Sequence, residues 1–412
     1  MSTEERYAEA RKLYDNDEYD KAVPLLETLA GEGHAGALSC LSLCYFKGKG
    51  VEKNGVKAVR LLLEAVEKGE PDAQYRLGRL HFFGKILAQD KSMAIELYRK
   101  SAEQGNVEAQ HALATCYAMG DGVAKDYEKS FEWEIKAAEQ GHADAQCGVG
   151  FCYMGGMGVA KNDVKGIEWF RKAAEQGLAE AQDELGHCYF SGQGVAKDSA
   201  KAVEWFRKAA EQGQDRAQFM LGHCYHEGDG VTRDYNKTVE WFRKAAEQGH
   251  AVAQNALGSC YARGEGVAED KAKAVEWFRK AAEQGDAEAQ FSLGCYYYSG
   301  VVVAKDSATA VKWLRKAAEQ GEANAQFMLG LCYHEGDGVT RDYNKAVEWF
   351  RKAAEQGRAE AQFALGYAYR YGEGVAQNDT KAVEWCSKAA EQGLEDAHKM
   401  LAEIKKRAKK WW

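Results

Sequence analysis

The sequence predicts an all-α fold, an α/α superhelical solenoid of 36-residue helix-turn-helix repeats. Three observations support this class. The tetrapeptide Ala-Glu-Gln-Gly recurs every 36 residues, without insertion or deletion, from Gly105 to Gly393. Within each period the apolar residues follow helical spacing. The chain has 43 glycines but only two prolines, which fits turns and helix ends repeated along a helical array.

Residues 214–249 show how one repeat is built. Ala217, Leu221 and Cys224 lie at i, i+4 and i+7, which predicts a first helix with one buried stripe. Gly222 borders this stripe, where a missing side chain lets a neighbouring backbone come close.

A turn and a second helix complete the repeat. The glycine-rich turn at 228–231 supplies backbone conformations with positive φ, and Asp234 is placed to cap the next helix. Val239 and Phe242 lie at i and i+3 on the apolar face of that helix, and Gly249 supplies the left-handed residue that ends it. Each repeat is therefore predicted to be a helical hairpin.

The repeat resembles the Sel-1-like repeat family, a group of tetratricopeptide-like α/α solenoids. The resemblance lies in Leu-Gly-x-x-Tyr on the first helix and Lys-Ala-Val-Glu-Trp-Phe-Arg-Lys-Ala-Ala-Glu-Gln-Gly on the second. It extends from Ala35 to Ala402, with a longer period than the tetratricopeptide repeat. We expect an N-terminal capping helical hairpin at 1–33, tandem Sel-1-like repeats at 34–393, and a C-terminal capping helix with a basic tail at 394–412.

The composition excludes several function classes. Acidic residues outnumber basic ones by 63 to 55, a net charge of −8, so general nucleic-acid binding, which needs a basic face, is not expected. No apolar run reaches the ~18 residues of a membrane span, and the charged N-terminus lacks the apolar core of a signal peptide. We therefore expect a cytoplasmic protein without a transmembrane segment, and its oligomeric state is left open.

Cysteine forms a column in the first helices. Stacked helices lie ~8–10 Å apart, whereas a disulfide needs Cα atoms within ~7 Å, so column neighbours are not expected to pair. By resemblance, secreted members of the family bridge the two helices of a repeat with a cysteine pair, and this sequence lacks the second column. We expect buried free thiols in the column and partial exposure of Cys40, Cys147 and Cys295, which lie off it. The column consists of Cys44, Cys116, Cys152, Cys188, Cys224, Cys260 and Cys332.

Tryptophan forms another column, in the second helices. Such a ladder suits stacking on bases or sugars, but we expect it to be core between hairpins. The Lys-Ala-Ala-Glu-Gln run that follows is expected to be a solvated helical surface. The column consists of Trp133, Trp169, Trp205, Trp241, Trp277, Trp313, Trp349 and Trp385.

The sequence contains little that indicates catalysis or metal binding. His223 and His226 lie at i and i+3, but zinc needs three or four converging ligands, and Cys224 between them belongs to the core stripe. The nucleophile elbow, the phosphate loop and His-Glu-x-x-His do not occur in the sequence. Some secreted relatives have been linked to β-lactam binding or weak hydrolysis, but the Ser-x-x-Lys motif for that chemistry is missing here. We predict no catalytic residue, no metal and no cofactor.

The predicted ligand-binding residues lie where the repeats differ. They occupy positions i, i+4 and i+7 on a first-helix face offset from the core stripe, which by resemblance to related solenoids lines the concave groove. Aromatic, histidine and arginine side chains fit the composition of interaction hot spots. Alternatively, some of the aromatics pack between neighbouring first helices, with the histidine and arginine positions more exposed. The set is Tyr75, Arg79, Phe82, Phe151, His187, Phe190, Phe219, His223, His226, Phe291, Tyr298, Phe327, His334, Phe363, Tyr367 and Arg370.

A block longer than one 36-residue repeat is duplicated in the sequence. Residues 214–249 and 322–357 differ at five of 36 positions and are 108 residues apart, so a block of three repeats was copied. The copy either provides a second, equivalent site or only adds length to a spacer.

The C-terminal residues 405–412 form a basic cluster that ends in two tryptophans. Cations are favoured in a last helical turn by the helix dipole, and the alternative is contact with an anionic membrane or a nucleic acid.

The predicted function is that of a non-enzymatic scaffold or adaptor that binds a peptide or protein in the concave groove. A hydrolase-like enzyme and a purely architectural spacer are the alternatives. Neither the partner nor the pathway follows from the sequence.

Overall fold

The computed structural model describes residues 1–408, with side chains up to Lys406. Within this range the chain forms 23 α-helices and no strand. It divides into two compact units, unit 1 at Met1–Trp205 and unit 2 at Phe206–Trp412. No helix among the described residues is long and apolar enough to cross a membrane. The last four residues of the predicted basic tail lie outside the described range.

Unit 1 is built from helical hairpins in which each odd-numbered helix is a first helix and each even-numbered one a second helix. The two helices of a hairpin pack against each other, and the second helix packs against the next first helix. The helices are α1 (Thr3–Asp15), α2 (Tyr19–Gly31), α3 (Ala35–Lys47), α4 (Gly55–Glu67), α5 (Pro71–Phe83), α6 (Lys91–Glu103), α7 (Val107–Met119), α8 (Tyr127–Glu139), α9 (Ala143–Gly155), α10 (Asp163–Glu175), α11 (Ala179–Ser191) and the first half of α12 (Ser199–Glu211).

Unit 2 begins inside α12 and repeats the same arrangement. Its helices are α13 (Asp215–Glu227), α14 (Tyr235–Glu247), α15 (Ala251–Arg263), α16 (Lys271–Glu283), α17 (Ala287–Ser299), α18 (Ser307–Glu319), α19 (Ala323–Glu335), α20 (Tyr343–Glu355), α21 (Ala359–Tyr371), α22 (Asp379–Glu391) and α23 (Glu395–Ala408).

The helix ends follow the local rules that the sequence predicts. The side chain of Asp234 accepts a hydrogen bond from the backbone N–H of Lys237 at 3.1 Å and caps α14. Gly228 ends α13 in the left-handed conformation, with φ 76°, and Gly249 follows α14 with φ 99°. These positive φ angles favour glycine because a Cβ is strained there.

The core lies between the helices of each hairpin and its neighbours. Ala217, Leu221 and Cys224 are fully buried, as predicted, and Phe242 of α14 packs onto the same hairpin. At Gly222, a Cβ would lie 2.6 Å from the ring of Phe242. The glycine therefore makes room mainly for an aromatic side chain, and the expected approach of a backbone is secondary.

The Lys-Ala-Ala-Glu-Gln run is not simply a solvated surface, because its alanines are buried and its glutamine is structural. Gln284, in this run, donates from Nε2 to Oε1 of the buried Gln254 at 2.8 Å. Gln254 in turn donates from Nε2 to the carbonyl oxygen of Ala246 in the preceding repeat at 3.0 Å. The same two-step bridge recurs within each unit, for example at Gln146 and at Gln362, so at these positions one buried amide ties a repeat to its predecessor.

The tryptophan column lies at the edge of the core, half-buried, so the prediction of core packing was only partly right. Trp241 packs with one face covered by Lys244, whose Nζ lies 3.8 Å from the ring centroid. Lysine covers the tryptophan in the same way at Trp133, Trp169, Trp277, Trp313, Trp349 and Trp385. A tryptophan ring at the edge of the core can hold a lysine ammonium over one face while that ammonium stays in contact with water.

All eleven cysteines are free thiols. Cys295 is half-buried, as expected, but Cys40 and Cys147 are buried, so the expectation of partial exposure was wrong for these two. Cys40 is covered by α1, whose Tyr7 hydroxyl lies 3.5 Å from its sulfur.

Candidate functional site

The predicted ligand-binding residues of unit 1 do not form one site. Phe82 and Tyr75 both pack near the ring of Tyr98 on α6, with centroids 6.1 and 5.8 Å away, and Phe151 meets the ring of Phe170 edge-on at 5.0 Å. These aromatics therefore pack against the second helix of their own hairpin, and not between neighbouring first helices as the alternative expected.

Other predicted residues of unit 1 lie apart. Arg79 is exposed and lines a cavity with residues that the sequence reasoning missed, among them Arg76 and Phe83. His187 lies 3.6 Å from Asp183, one turn earlier on α11. Phe190 lies beneath the ammonium of Lys197, 5.6 Å from the ring centroid.

In unit 2, four predicted residues meet in one cavity of about 370 Å³, here named the aromatic cavity. It opens between α19, α21 and the start of α23. Its predicted members are Phe327, His334, Phe363 and Tyr367, and the lining also includes Leu331, Tyr343, Ala346, Val347, Phe350, Glu360, Ala364, Ala368, Glu373, Leu394 and Asp396.

Three further predicted residues meet in a second cavity of about 250 Å³, here named the polar cavity. It opens between α13 and α15. Its predicted members are Phe219, His223 and His226, and the lining also includes Glu227, Phe242, Val252, Asn255, Ala256, Ser259, Cys260, Arg263, Glu265 and Glu288.

Three predicted residues of unit 2 line neither cavity. Phe291 packs partly against the core, and the Tyr298 hydroxyl donates to Glu335 at 3.4 Å. Arg370 is buried, with 7% of its side chain exposed, and its guanidinium lies 2.6 Å from the Asp379 carboxylate. The expected exposure of Arg370 was therefore wrong, because the start of α22 supplies a partner that pulls the side chain inward.

Aromatic side chains form the body of the aromatic cavity. The ring of Phe327 lies 5.9 Å from that of Phe350, and the guanidinium carbon of Arg358 lies 4.9 Å from the centroid of Phe327. Tyr367 packs against Tyr371 at 4.5 Å between centroids, with the Tyr367 side chain partly exposed at the mouth. The interior therefore offers apolar surface to a ligand.

A contact between His334 and Glu373 forms part of one wall of the aromatic cavity. His334 Nε2 lies 2.8 Å from Oε2 of Glu373, in the turn after α21, and its ring meets Tyr343 edge-on at 5.2 Å. Burial, helped by the charge of Glu373, raises the pKa of Tyr367, so its hydroxyl stays protonated and remains a donor. The wall thus combines an aromatic surface with groups that form hydrogen bonds.

Acidic residues surround the aromatic cavity, and the sequence reasoning missed them. Glu360, Glu373 and Asp396 line it, and no lysine or arginine is part of its lining. Glu360 lies three residues before Phe363 on α21, so helical spacing alone places it on the same face. No such spacing links Asp396 to this cavity, because it lies on a helix two repeats after that of Phe327.

The cysteine in the polar cavity is not activated. Burial raises the pKa of the Cys260 thiol to about 11, so the thiolate, which is the nucleophilic form, is disfavoured at neutral pH. Among the described residues no cluster of three or more His, Cys, Asp or Glu side chains is arranged to hold a metal ion. Both cavities are open recesses lined by hydrogen-bonding groups and acidic side chains.

Comparison with known proteins supports the fold. The family model described as Sel1 repeat matches ten consecutive segments, at residues 37–70, 71–106, 107–142, 143–178, 179–214, 215–250, 251–286, 287–322, 323–357 and 359–394. No curated protein matches the chain.

Two solved structures are similar over most of the chain. The first is a protective antigen of uropathogenic Escherichia coli strains with an SLR fold, at 39% identity and TM-score 0.84, covering 93% of this chain and 82% of that one. The second is a Sel1 repeat protein from Oxalobacter formigenes, at 35% identity and TM-score 0.58, covering 79% of this chain and 92% of that one. The predicted all-α solenoid of tandem repeats is confirmed, and the chain belongs to the Sel1 repeat family.

Proposed function

We propose that this chain is a non-enzymatic scaffold that binds a segment of a partner protein on its first-helix face, the face predicted above to line a concave groove. Sel1-repeat proteins are in general protein-interaction scaffolds. The observation that carries the proposal is the aromatic cavity, in which Phe327, Phe363 and Tyr367 from two successive repeats enclose a recess. Its volume of about 370 Å³ falls at the lower end of ligand pockets, which suits one or two side chains.

The lining favours a bound segment of a particular chemistry. The aromatic walls favour an apolar side chain, whose burial contributes roughly 1.5–3 kcal/mol. Glu360, Glu373 and Asp396 add negative charge without a lysine or arginine in the lining. The cations nearest to two of them, Arg358 at 3.5 Å from Glu360 and Lys399 at 3.2 Å from Asp396, lie outside the lining. The segment therefore carries an apolar anchor next to lysine or arginine.

Blocked, fluorescently labelled peptides test this proposal by anisotropy. The probe contains tryptophan flanked by lysines in a glycine–serine frame, and its controls carry glutamates in place of the lysines or alanine in place of the tryptophan. The chain itself supplies the variant, F363N/Y367S, because Asn255 and Ser259 hold the equivalent positions of a homologous repeat. Y298F is the matched control, since Tyr298 lies outside both cavities.

We expect F363N/Y367S to weaken binding of the tryptophan–lysine probe at least tenfold, and Y298F to leave it unchanged. The wild type should bind both control peptides more weakly than the probe. Equal affinity of wild type and F363N/Y367S for the probe, or no binding by the wild type, overturns the proposal and favours an architectural spacer.

We also propose that the chain works in the cytoplasm or another reducing compartment. The support is its eleven free thiols, most of them buried among apolar side chains. Labelling of the thiols in unfractionated cells, before and after reduction, tests this: thiols found oxidised in the cell contradict it.

A further inference from the structure

The aromatic cavity and the polar cavity occupy equivalent places in the copied block of repeats, 108 residues apart. Each is built on the same framework: a phenylalanine and a histidine on one first helix, and a glutamate in the turn after the next first helix. These are Phe219, His226 and Glu265 in the polar cavity and Phe327, His334 and Glu373 in the aromatic cavity.

The framework is similar in both copies, but the histidine–glutamate contact is tighter in the aromatic cavity, and His226 Nδ1 also lies 2.7 Å from Glu227. His226 Nε2 lies 3.5 Å from Glu265, and His334 Nε2 lies 2.8 Å from Glu373. Each histidine ring meets a tyrosine edge-on, with centroids 5.5 Å apart in the first copy and 5.2 Å in the second. The duplication therefore kept a formed recess, which a spacer of added length does not require.

The linings that face into the two recesses differ. Three aromatic or aliphatic positions of the aromatic cavity, Leu331, Phe363 and Tyr367, are polar in the other copy, where they are His223, Asn255 and Ser259. Two recesses at equivalent positions, with volumes of about 370 and 250 Å³, thus present different chemistry.

Both recesses are acidic. The polar cavity is lined by Glu227, Glu265 and Glu288 against a single arginine, Arg263, which lies 3.7 Å from Glu265. The Asn255 amide donates to Glu288 at 3.1 Å, which fixes this carboxylate beside the recess. Carboxylates and an amide around a recess without aromatic walls at these positions suit a lysine or arginine side chain.

We propose that the two cavities bind one partner segment at two points, an apolar side chain in the aromatic cavity and a lysine or arginine in the polar cavity. This inference rests on the proposed function of the aromatic cavity. It assigns the copied block a second site with its own specificity.

The spacing of the repeats sets the spacing of the anchors. Taking the ~8–10 Å spacing of packed helices as the advance per repeat, three repeats separate the cavities by roughly 24–30 Å. An extended chain advances ~3.3–3.6 Å per residue, so about eight residues separate the two anchors in the partner.

Two peptides test the inference. The first carries only the tryptophan flanked by lysines; the second adds an arginine eight residues away, and is made in both chain directions. A second binding contact within one ligand raises affinity through effective concentration. We expect one direction of the two-anchor peptide to bind the wild type at least tenfold more tightly than the single-anchor peptide. In E288Q/N255A this gain should disappear, while affinity for the single-anchor peptide stays unchanged.

The two failures can be told apart. If the single-anchor peptide binds but the arginine adds nothing in either direction, the two-point inference is wrong and the proposed function stands. If neither peptide binds, the proposed function fails and the inference fails with it.

A graft provides an independent variant that is expected to fold. H223L/N255F/S259Y places in the polar cavity the side chains that its copy already holds at 331, 363 and 367. We expect a peptide with tryptophan at both anchor positions to bind this variant at least tenfold more tightly than it binds the wild type. An unchanged affinity for a folded graft contradicts the inference.

Discussion

His111 Nδ1 lies 3.1 Å from both carboxylate oxygens of Glu134, a residue buried where most other repeats have an aromatic ring. The equivalent residues three repeats later are Phe219 and Phe242, whose rings stack at 5.5 Å. One repeat has thus replaced a stacked aromatic pair with a hydrogen-bonded acid–imidazole pair.

A third position, Ala114, also differs between the two repeats and is part of the exchange. Where the later repeat has Gly222 beneath Phe242, this repeat has Ala114, which is itself buried. A Cβ at Gly222 would lie 2.6 Å from the Phe242 ring, so alanine and phenylalanine do not fit together here. With Ala114 at this position the repeat carries the narrower carboxylate of Glu134 in place of a ring.

We predict that the triple variant H111F/A114G/E134F is about 1–3 kcal/mol more stable than the wild type near pH 8. It restores the aromatic packing of the later repeat and removes a buried acid, and exchanging buried ion pairs for apolar groups often stabilises by this much. Urea unfolding measures the difference. The single variant E134F should instead lose stability, because Ala114 crowds the new ring; a stable E134F would contradict this account of the site.

The same pair predicts a pH dependence. Burial raises the pKa of Glu134 and outweighs the opposing hydrogen bond with His111. Burial works against the charge on His111, but the hydrogen bond and the charge of Glu134 outweigh it, so the pKa of His111 is raised too. Both groups therefore hold their protons more tightly in the folded chain than in the unfolded one.

It follows that stability is lost as pH rises through these folded-state pKa values, starting from the unfolded values of ~4.3 for glutamate and ~6.5 for histidine. Between about pH 5 and pH 8, the free energy of unfolding of the wild type should fall relative to that of H111F/A114G/E134F. Urea unfolding of both proteins at these two values measures it. A constant difference between them would show that the pair is not linked to stability.

Gly222→Ala tests the close contact at the centre of a hairpin. Its Cβ would meet the ring of Phe242 at 2.6 Å and the carbonyl oxygen of Thr238 at 3.3 Å. We expect a loss of about 1–3 kcal/mol from overpacking, measured by denaturant unfolding. Gly55→Ala is the control, since no atom lies within 4 Å of its added Cβ and it should change stability little. Equal effects at the two sites would contradict the packing argument.

The helices and their ends could be predicted from the sequence because local rules determine them. Asp234 caps its helix through a backbone group three residues away, and Gly228 ends a helix through its own φ angle. The burial of Trp241 and of Arg370 could not be predicted from local rules of this kind. Trp241 was expected in the core because tryptophan recurs at its position, but its ring is half-buried and Lys244 covers one face.

The candidate site could be predicted only in part. Helical spacing places Phe219, His223 and His226 on one face of α13, and all three line the polar cavity. It could not add Glu288 or Asp396, which come from the first helix two repeats later, since their approach depends on the stacking of hairpins. Nor could spacing distinguish Phe363, which lines a cavity, from Phe151, which packs against its own hairpin.

The glutamine bridge offers a test of how the repeats are joined. Gln254→Ala removes two hydrogen bonds, the donation to the Ala246 carbonyl and the acceptance from Gln284, from a buried position. A net loss of ~1 kcal/mol for each bond, plus lost packing, predicts a destabilisation of about 2–3 kcal/mol. Gln284→Ala removes only the outer bond, from an exposed side chain whose place water can take, and should cost less, about 1 kcal/mol. Urea unfolding of both variants measures the difference, and equal losses would mean that the buried amide does not join the repeats.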